Sequence, residues 1–331
     1  MTTTAKPTTS AVTSGAELLG RQLVFVTGKG GTGKSTVAAA LGELSARVGK
    51  RTLLVEIDAK GNLTDFYEHD RVGFDPVEIR PGLFVMTMNT EDSLREYLRI
   101  FMKMGRVSKL GLLSKIFEFV ANAAPGVREI LMIGKIAYEA SLVDGGNFHW
   151  DMIIVDAAPT GRIIGQLDAP AAINEMIDSG MVREQTDWMR EILSDPARTA
   201  LVAVATPEEM PVAETIELAV ASEQTDVHLQ AVVLNRVLPE LFTHADQALF
   251  DEMSADGPDE LLDELTESHI EPVFDAARLA VAMRRSRVEH IRRLTEELPL
   301  PTLFVPYLFI RDHGVRSTNL VAESLAAEMG L

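Results

Sequence analysis

Short apolar runs alternate with longer amphipathic segments along most of the chain, a pattern typical of α/β proteins. The runs are rich in aliphatic and β-branched residues and predict buried strands at 23–26, 52–57, 84–88, 151–157, 201–205, 231–234 and 302–305. Helical patterns separate most of these runs, so parallel strands joined by helical crossovers are the simplest arrangement. The pattern therefore predicts an α/β fold with a mostly parallel sheet and helices on both faces.

Two amphipathic regions, about 91–143 and 171–194, carry apolar residues at helical spacing and predict a helical subdomain inserted between core strands. Their apolar stripes have two interpretations, which both stay open at this point. The stripes are either core packing or a flexible groove for a helix of another protein. The apolar positions used here are Leu94, Tyr97, Leu98, Phe101, Leu113, Ile116, Phe117, Val120, Val127, Ile130 and Leu131 in the first region, and Ile173, Met176, Ile177, Trp188, Met189, Ile192 and Leu193 in the second.

Composition excludes several classes of function. The 331 residues include no cysteine, so we expect no disulfide, zinc–thiolate site or iron–sulfur cluster. The formal net charge of −18 disfavours binding to nucleic acid. No uncharged apolar run approaches the roughly 20 residues of a membrane-spanning helix, so stable membrane insertion is not expected. Residues 1–20 are rich in Thr and Ser and predict a disordered tail, which leaves a single domain over 21–331 in a cytoplasmic protein.

The most specific motif lies between the first predicted strand and the helix that follows it. Residues 28–35 fit the phosphate-loop (P-loop) spacing G-x-x-x-x-G-K-[ST] in its required strand–loop–helix setting. Glycines let backbone N–H groups point at phosphate oxygens, and the helix N-terminus adds positive potential. Lys34 is expected to reach the β- and γ-phosphates, and the Ser35 hydroxyl to ligate Mg²⁺. The predicted nucleotide-binding residues here are Gly28, Gly30, Gly31, Thr32, Gly33, Lys34, Ser35 and Thr36.

A second candidate group follows the predicted strand 151–157. Asp156 lies at the end of this strand and is followed by the loop Ala158-Pro159-Thr160-Gly161. A carboxylate at a strand end can orient Mg²⁺ or its water shell in P-loop enzymes, although turns also favour Asp. The P-loop elsewhere in the chain favours the metal-binding interpretation.

These motifs together resemble the ArsA-like ATPase family, which includes arsenite-pump ATPases and the ATPase that targets tail-anchored proteins. The extra lysine of GKGGTGKS, Lys29, is the mark of the deviant Walker A (MinD/ParA) class of P-loop NTPases. The family's first switch matches at Asp58, Asn62, Leu63 and Asp65, and its second switch matches over 156–161. Further similarities are Ala124-Pro125-Gly126 and Asn235-Arg236.

The sequence also departs from the family pattern. Ala59-Lys60-Gly61 replaces the usual Pro-Ala-His/Ser of the first switch, and Arg162 stands where the family usually has His. The arsenite-binding cysteines and the zinc-binding cysteine pair are absent, and only one ATPase half is present.

The resemblance implies a mechanism that uses ATP and Mg²⁺ in a dimer. Lys29 acts across the dimer on the partner's ATP, Lys34 acts in its own chain, and Asp58 positions the attacking water. Ser35, Asp58 and Asp156 form the metal site. The switch residues are Asp58, Asn62, Asp156, Pro159, Thr160 and Gly161, and the nucleotide-binding set also includes Asn235 and Pro306.

The resemblance further implies that ATP turnover is coupled to an unidentified protein client, which includes the possibility of a hydrophobic membrane protein. The partner subunit is a second copy or a paralogous ATPase. Two other functions stay open: a MinD/ParA-like partition ATPase, and a nucleotide-gated interaction module that pairs with a paralogous subunit. Residues 320–331 contain no Lys or Arg, which disfavours the basic membrane helix expected of the first alternative.

Overall fold

The computed structural model describes residues 15–57, 62–100, 126–239, 270–310 and 314–331, together with the single positions 245, 248 and 252. Its strands, in chain order, are β1 (Leu23–Thr27), β2 (Thr52–Ile57), β3 (Val77–Arg80), β4 (Leu83–Met88), β5 (Val143–Asp144), β6 (Asn147–Phe148), β7 (Met152–Asp156), β8 (Thr199–Ala205), β9 (Leu229–Val237) and β10 (Thr302–Pro306). Eight of them form one sheet in the order β10-β9-β8-β1-β7-β2-β4-β3, and β5 and β6 form a separate hairpin.

The sheet is parallel at each described pairing except the antiparallel pair β3–β4. The central strands β1 and β8 are buried along their whole length because both of their faces are covered. In β1, Leu23 and Phe25 face one apolar layer, while Val24 and Val26 face the other. The predicted α/β fold is therefore confirmed.

The described helices are α1 (Gly15–Leu18), α2 (Lys34–Arg47), α3 (Asn62–Asp65), α4 (Thr90–Ile100), α5 (Val127–Ser141), α6 (Thr160–Met176), α7 (Met181–Ser194), α8 (Glu209–Ser222), α9 (Ile270–Glu297) and α10 (Val315–Met329). Helices α1, α2, α3 and α10 contribute to the layer on one face of the sheet. Helices α5 to α9 contribute to the layer on the other face. None of the described helices is long and apolar enough to cross a membrane.

The prediction of one helix over 171–194 is wrong. Helix α6 already begins at Thr160 and ends at Met176, and α7 begins at Met181. Ile177 is extended, and Gly180 has φ of 104°, a conformation that favours glycine and cannot continue a helix. Pro170 lies within α6 without ending it. The apolar pattern continued through the break because both helices pack on the same side of the sheet.

Most of the apolar stripe on α5 and α7 is core. Leu131, Met132 and Ile133 of α5 are buried, as are Met189 and Ile192 of α7. For these buried positions the core-packing interpretation is confirmed. The stripe at 113–120 and the start signal Ala124-Pro125 lie outside the described residues.

A buried ionic group fixes α4 against α5. Lys135 forms ion pairs with Glu96 of α4 at 2.7 Å and with Glu139 at 2.8 Å, and the Trp150 indole N–H donates to Glu139 at 2.8 Å. Burial alone would lower the pKa of Lys135, but the two carboxylates raise it above its ordinary value. Helix α4 therefore docks through paired charges as well as through the apolar contact of Leu94.

Candidate active site

The three motifs singled out in the sequence follow strands that are neighbours in the sheet, β1, β7 and β2. The P-loop follows β1, the second switch follows β7, and the first switch follows β2. Open parallel sheets bind ligands at the carboxyl edge of their strands. Asp58 of the first switch lies outside the described residues, and Asn62 begins α3 with its side chain outside the description.

The P-loop leaves no room for a Cβ at two of its glycines. Gly28 has φ of 150°, and a Cβ there would lie 2.1 Å from the Val204 carbonyl oxygen. Gly33 has φ of 96°, and a Cβ there would lie 2.3 Å from Nδ2 of Asn235. By contrast, a Cβ on Gly30 would meet no atom within 4 Å. The loop is thus tightly packed at its ends and open in its middle, where phosphate groups would approach.

The end of the P-loop leads directly into α2, which begins at Lys34. Its N-cap, Gly33, makes no side-chain cap hydrogen bond. The first N–H groups of a helix without a side-chain cap are suited to bind an anion. Lys34 Nζ donates to the Lys29 carbonyl at 3.3 Å, and Thr32 Oγ1 donates to the same oxygen at 2.9 Å. The Lys34 ammonium therefore lies over the loop that it is expected to serve.

Ser35 and Asp156 are brought together across the two strands. The Ser35 hydroxyl donates to Asp156 Oδ2 at 2.6 Å, while Asp156 Oδ1 is buried and has no hydrogen-bond partner among the described residues. Burial raises the pKa of Asp156 above its ordinary value, although the Ser35 hydrogen bond and the Lys34 charge act against this. An unpaired carboxylate oxygen beside a hydroxyl fits a magnesium ion or its water shell.

The second switch is hydrogen-bonded to the end of β1, the strand beside β7 in the sheet. The Ala157 N–H donates to the Val26 carbonyl at 2.9 Å, and Thr27 Oγ1 donates to the Ala158 carbonyl at 2.7 Å. Pro159 is the N-cap of α6, which starts with Thr160 and Gly161. The second switch is therefore one continuous piece with the first turn of α6.

Lys29 is not extended into solvent but bound within its own chain. Its ammonium forms an ion pair with Oε1 of Glu214 on α8. The other carboxylate oxygen of Glu214, Oε2, accepts a hydrogen bond from Thr160 Oγ1 at 2.8 Å. A single carboxylate thus joins the P-loop, the second switch and α8.

Asn235 contacts the P-loop from β9. Its Nδ2 donates to the Thr32 carbonyl at 2.8 Å, and its Oδ1 accepts from the Arg236 N–H at 2.9 Å. Arg236 has φ of 59°, a left-handed conformation held by this hydrogen bond. Pro306 ends the neighbouring strand β10 and is paired with Val237 after a shift of register. The structure therefore brings Asn235 to the P-loop and places Pro306 at the same sheet edge.

Sequence reasoning missed two carboxylates at this edge. Glu56 is 3% exposed and lies opposite Asp156 in the pairing of β2 with β7. An acid within the apolar run TLLVEI was a usable signal for it. Glu214 carried no such signal, because it lies on an ordinary helix far along the chain from Lys29.

Comparison with known proteins agrees with this geometry. The sequence model of the family described as "Anion-transporting ATPase" matches residues 21–186 and 173–271. "ATPase BagA" of Mycobacterium tuberculosis is 31% identical over 330 residues, which cover 95% of each chain. "Putative arsenical pump-driving ATPase" of Halobacterium salinarum is 28% identical over 283 residues, 79% of this chain and 41% of that one. "ATPase ASNA1 homolog" of Entamoeba dispar is 24% identical over 255 residues, 65% of this chain and 76% of that one.

The family match covers well over half of the chain. The chain therefore belongs to the anion-transporting (ArsA) ATPase family.

Proposed function

We propose that this chain is a cytoplasmic, magnesium-dependent ATPase that works as a dimer, with a second copy or a paralogous subunit, and couples ATP turnover to a protein client. The observation that carries the ATPase part is the Ser35–Asp156 pair beside an open P-loop. Asp156 Oδ1 is buried and has no hydrogen-bond partner among the described residues, which suits a bound cation or its water shell. The family membership supports the same reaction.

In this proposal, different residues of the chain bind the phosphates, the metal ion and the base. The open P-loop backbone and the start of α2 receive the phosphates, and Lys34 balances their charge. Ser35 and Asp156 would hold Mg²⁺, directly or through water. When bound, Mg²⁺ neutralises charge on the β- and γ-phosphate oxygens. Asn235 donates a hydrogen bond to the P-loop at Thr32, and we propose that the base is bound at this end of the loop.

Hydrolysis needs groups that act only when the dimer is closed. In this proposal Lys29 reaches the partner's nucleotide and stabilises charge that develops on the transferred phosphoryl group. Asp58 positions the attacking water, and the Gly161 N–H contacts the γ-phosphate. Because Gly161 lies in the first turn of α6, loss of that contact would release the helix together with the switch.

The client part of the proposal rests on the junction between α6 and α7. Met176, Met181 and Val182 flank the break between these helices and are 71%, 48% and 38% exposed. Methionine re-packs easily against different partners, which suits a surface that binds hydrophobic segments. The α6–α7 junction follows directly on the helix that begins with the second switch, so nucleotide state can change its exposure.

Lys29→Ala is expected to bind ATP as the wild type does but to lose turnover by about a thousandfold, the range of an arginine finger. The reason is that Lys29 contributes to the partner's site and not to its own. Turnover is measured by phosphate release, and affinity by the anisotropy of a fluorescent ATP analogue. Arg292→Ala removes one exposed positive charge from α9 and serves as the control. Wild-type turnover in Lys29→Ala would remove the trans role.

Asp156→Asn is expected to raise the free energy of unfolding of the nucleotide-free chain at pH 7. The pKa of Asp156 is raised above its ordinary value of 3.8 because burial penalises the charged form. The folded chain therefore binds that proton more tightly than the unfolded chain, so the ionised carboxylate destabilises the fold above its folded pKa. The cost disappears as pH falls through that pKa, so the gain from Asp156→Asn should shrink toward about pH 4.

Urea unfolding between neutral and acidic pH, without Mg²⁺, measures this effect. Asp144→Asn is the matched control, because it removes the same charge from an exposed hairpin and reports only the general relief of a net charge of −18. Asp156→Asn should also lose Mg²⁺-dependent ATPase activity. Equal stability of the two variants at pH 7 would contradict the account of Asp156.

The client prediction uses Asp58→Asn, which is expected to hold ATP without hydrolysis. A labelled transmembrane-type peptide in a solubilising carrier should bind this variant more tightly with Mg·ATP than without nucleotide. Met176→Ser/Met181→Ser should weaken that binding, whereas Val220→Ser, an exposed site on α8, should not. Fluorescence anisotropy gives the affinities. No binding in either nucleotide state would exclude a hydrophobic client of this kind.

A further inference from the structure

We propose that Glu214 is a positioning residue for Lys29, and that it couples this lysine to the second switch through Thr160. The inference rests on the proposed function, since it gives Lys29 a part in hydrolysis. It adds a residue on α8, outside the P-loop and both switches, to the groups that turnover requires.

The contacts use both oxygens of one carboxylate. Oε1 of Glu214 receives the ammonium of Lys29, and Oε2 receives the hydroxyl of Thr160 at 2.8 Å. Glu214 lies in the second turn of α8, whose neighbouring residues Thr215 and Leu218 are buried. The carboxylate is thus carried by a packed helix, whereas both of its donors come from loops or from the first residue of a helix.

Lys29 needs such a restraint more than most lysines do. It lies between Gly28 and Gly30, so its neighbours restrict the backbone little. Its side chain has four rotatable bonds, so fixing it in one conformation costs side-chain entropy. A contact made before the partner arrives removes part of that cost from the catalytic step.

The charge arrangement leaves Lys29 competent to bind phosphate. An ammonium group has three donors, so one directed at Glu214 leaves two for phosphate oxygens. The side chains of Lys29 and Glu214 are 36% and 25% exposed, so their ion pair is partly screened by solvent. The hydrogen bond from Lys29 lowers the pKa of Glu214, which keeps this carboxylate ionised. The pair therefore fixes geometry without burying the lysine.

The link to Thr160 makes the position of Lys29 dependent on the second switch. Thr160 also donates its N–H to the Gly28 carbonyl at 3.4 Å, so the switch touches the residue before Lys29 as well. When the first turn of α6 moves, the hydroxyl that shares the Glu214 carboxylate moves with it. Lys29 and the second switch are consequently held by the same group.

Glu214→Gln tests the inference, because it keeps the size of the side chain and an acceptor for Thr160 but removes the charge that holds Lys29. We expect kcat to fall by between about tenfold and about a hundredfold, with KM for ATP and the affinity for a fluorescent ATP analogue within about twofold of the wild type. Glu214→Asp keeps the charge on a shorter side chain and should recover part of kcat. Glu217→Gln, exposed one turn away on the same helix, is the matched control.

A second readout does not depend on activity. In the nucleotide-free chain, the rate of acetylation of Lys29 by a small reagent, followed by mass spectrometry, should rise in Glu214→Gln and stay at the wild-type rate in Glu217→Gln. Circular dichroism and thermal unfolding establish that each variant is folded. If Glu214→Gln does not fold, Glu214→Asp must show reduced kcat with unchanged nucleotide affinity for the inference to stand.

The outcomes separate this inference from the proposed function. A wild-type or higher kcat in Glu214→Gln, while Lys29→Ala is inactive, overturns the positioning role and leaves the proposed ATPase intact. An increase would mean that Glu214 restrains Lys29 from acting. Full turnover in Lys29→Ala removes the role of Lys29 itself, and the role of Glu214 with it.

Discussion

The site depends on a buried carboxylate that the described residues satisfy at only one of its two oxygens. Asp156 ends β7, and the parallel pairing of β7 with β1 sets it opposite Val26, just before the P-loop. Ser35 reaches one of its oxygens from α2, and the other oxygen stays without a partner among the described residues. Burial of an unpaired carboxylate oxygen is costly, and a cation bound beside it would remove part of that cost. The P-loop and the second switch both adjoin this carboxylate.

Much of this could be read from the sequence, since the signals are local. The strands were identifiable because buried parallel strands are continuously apolar, and the P-loop because its glycines and its Lys34-Ser35 pair are contiguous. Identifying those strands also places Thr27 and Asp156 at strand ends. The junction of α6 and α7 was missed because apolar residues continue across it, from Met176 and Ile177 to Met181 and Val182. The break lies in the backbone, at the extended Ile177 and at Gly180, and hydrophobicity does not mark it.

The contacts that join the parts of the site could not be read in the same way. Glu214 and Asn235 reach the P-loop from distant segments, and each contact depends on which strands become neighbours in the sheet. The absence of a side chain at Gly33 makes room for the Asn235 amide, so a local motif and a distant residue constrain each other. Lys29 likewise belongs to the local motif, whereas Glu214, its ion-pair partner, lies far along the chain. A motif therefore identifies the groups, while the topology decides which of them act together.

In the proposed mechanism, each chain binds one nucleotide through Lys34 and acts on its partner's nucleotide through Lys29. Mixing Lys29→Ala with Lys34→Ala tests it most directly, because one variant binds ATP without a trans lysine and the other supplies the lysine without binding ATP. Each variant alone should be inactive. A one-to-one mixture should recover about a quarter of wild-type turnover per chain, since half of randomly formed dimers are mixed and each has one working site. If the mixture turns over ATP only at the mean rate of the two variants measured separately, Lys29 does not act on the partner's nucleotide.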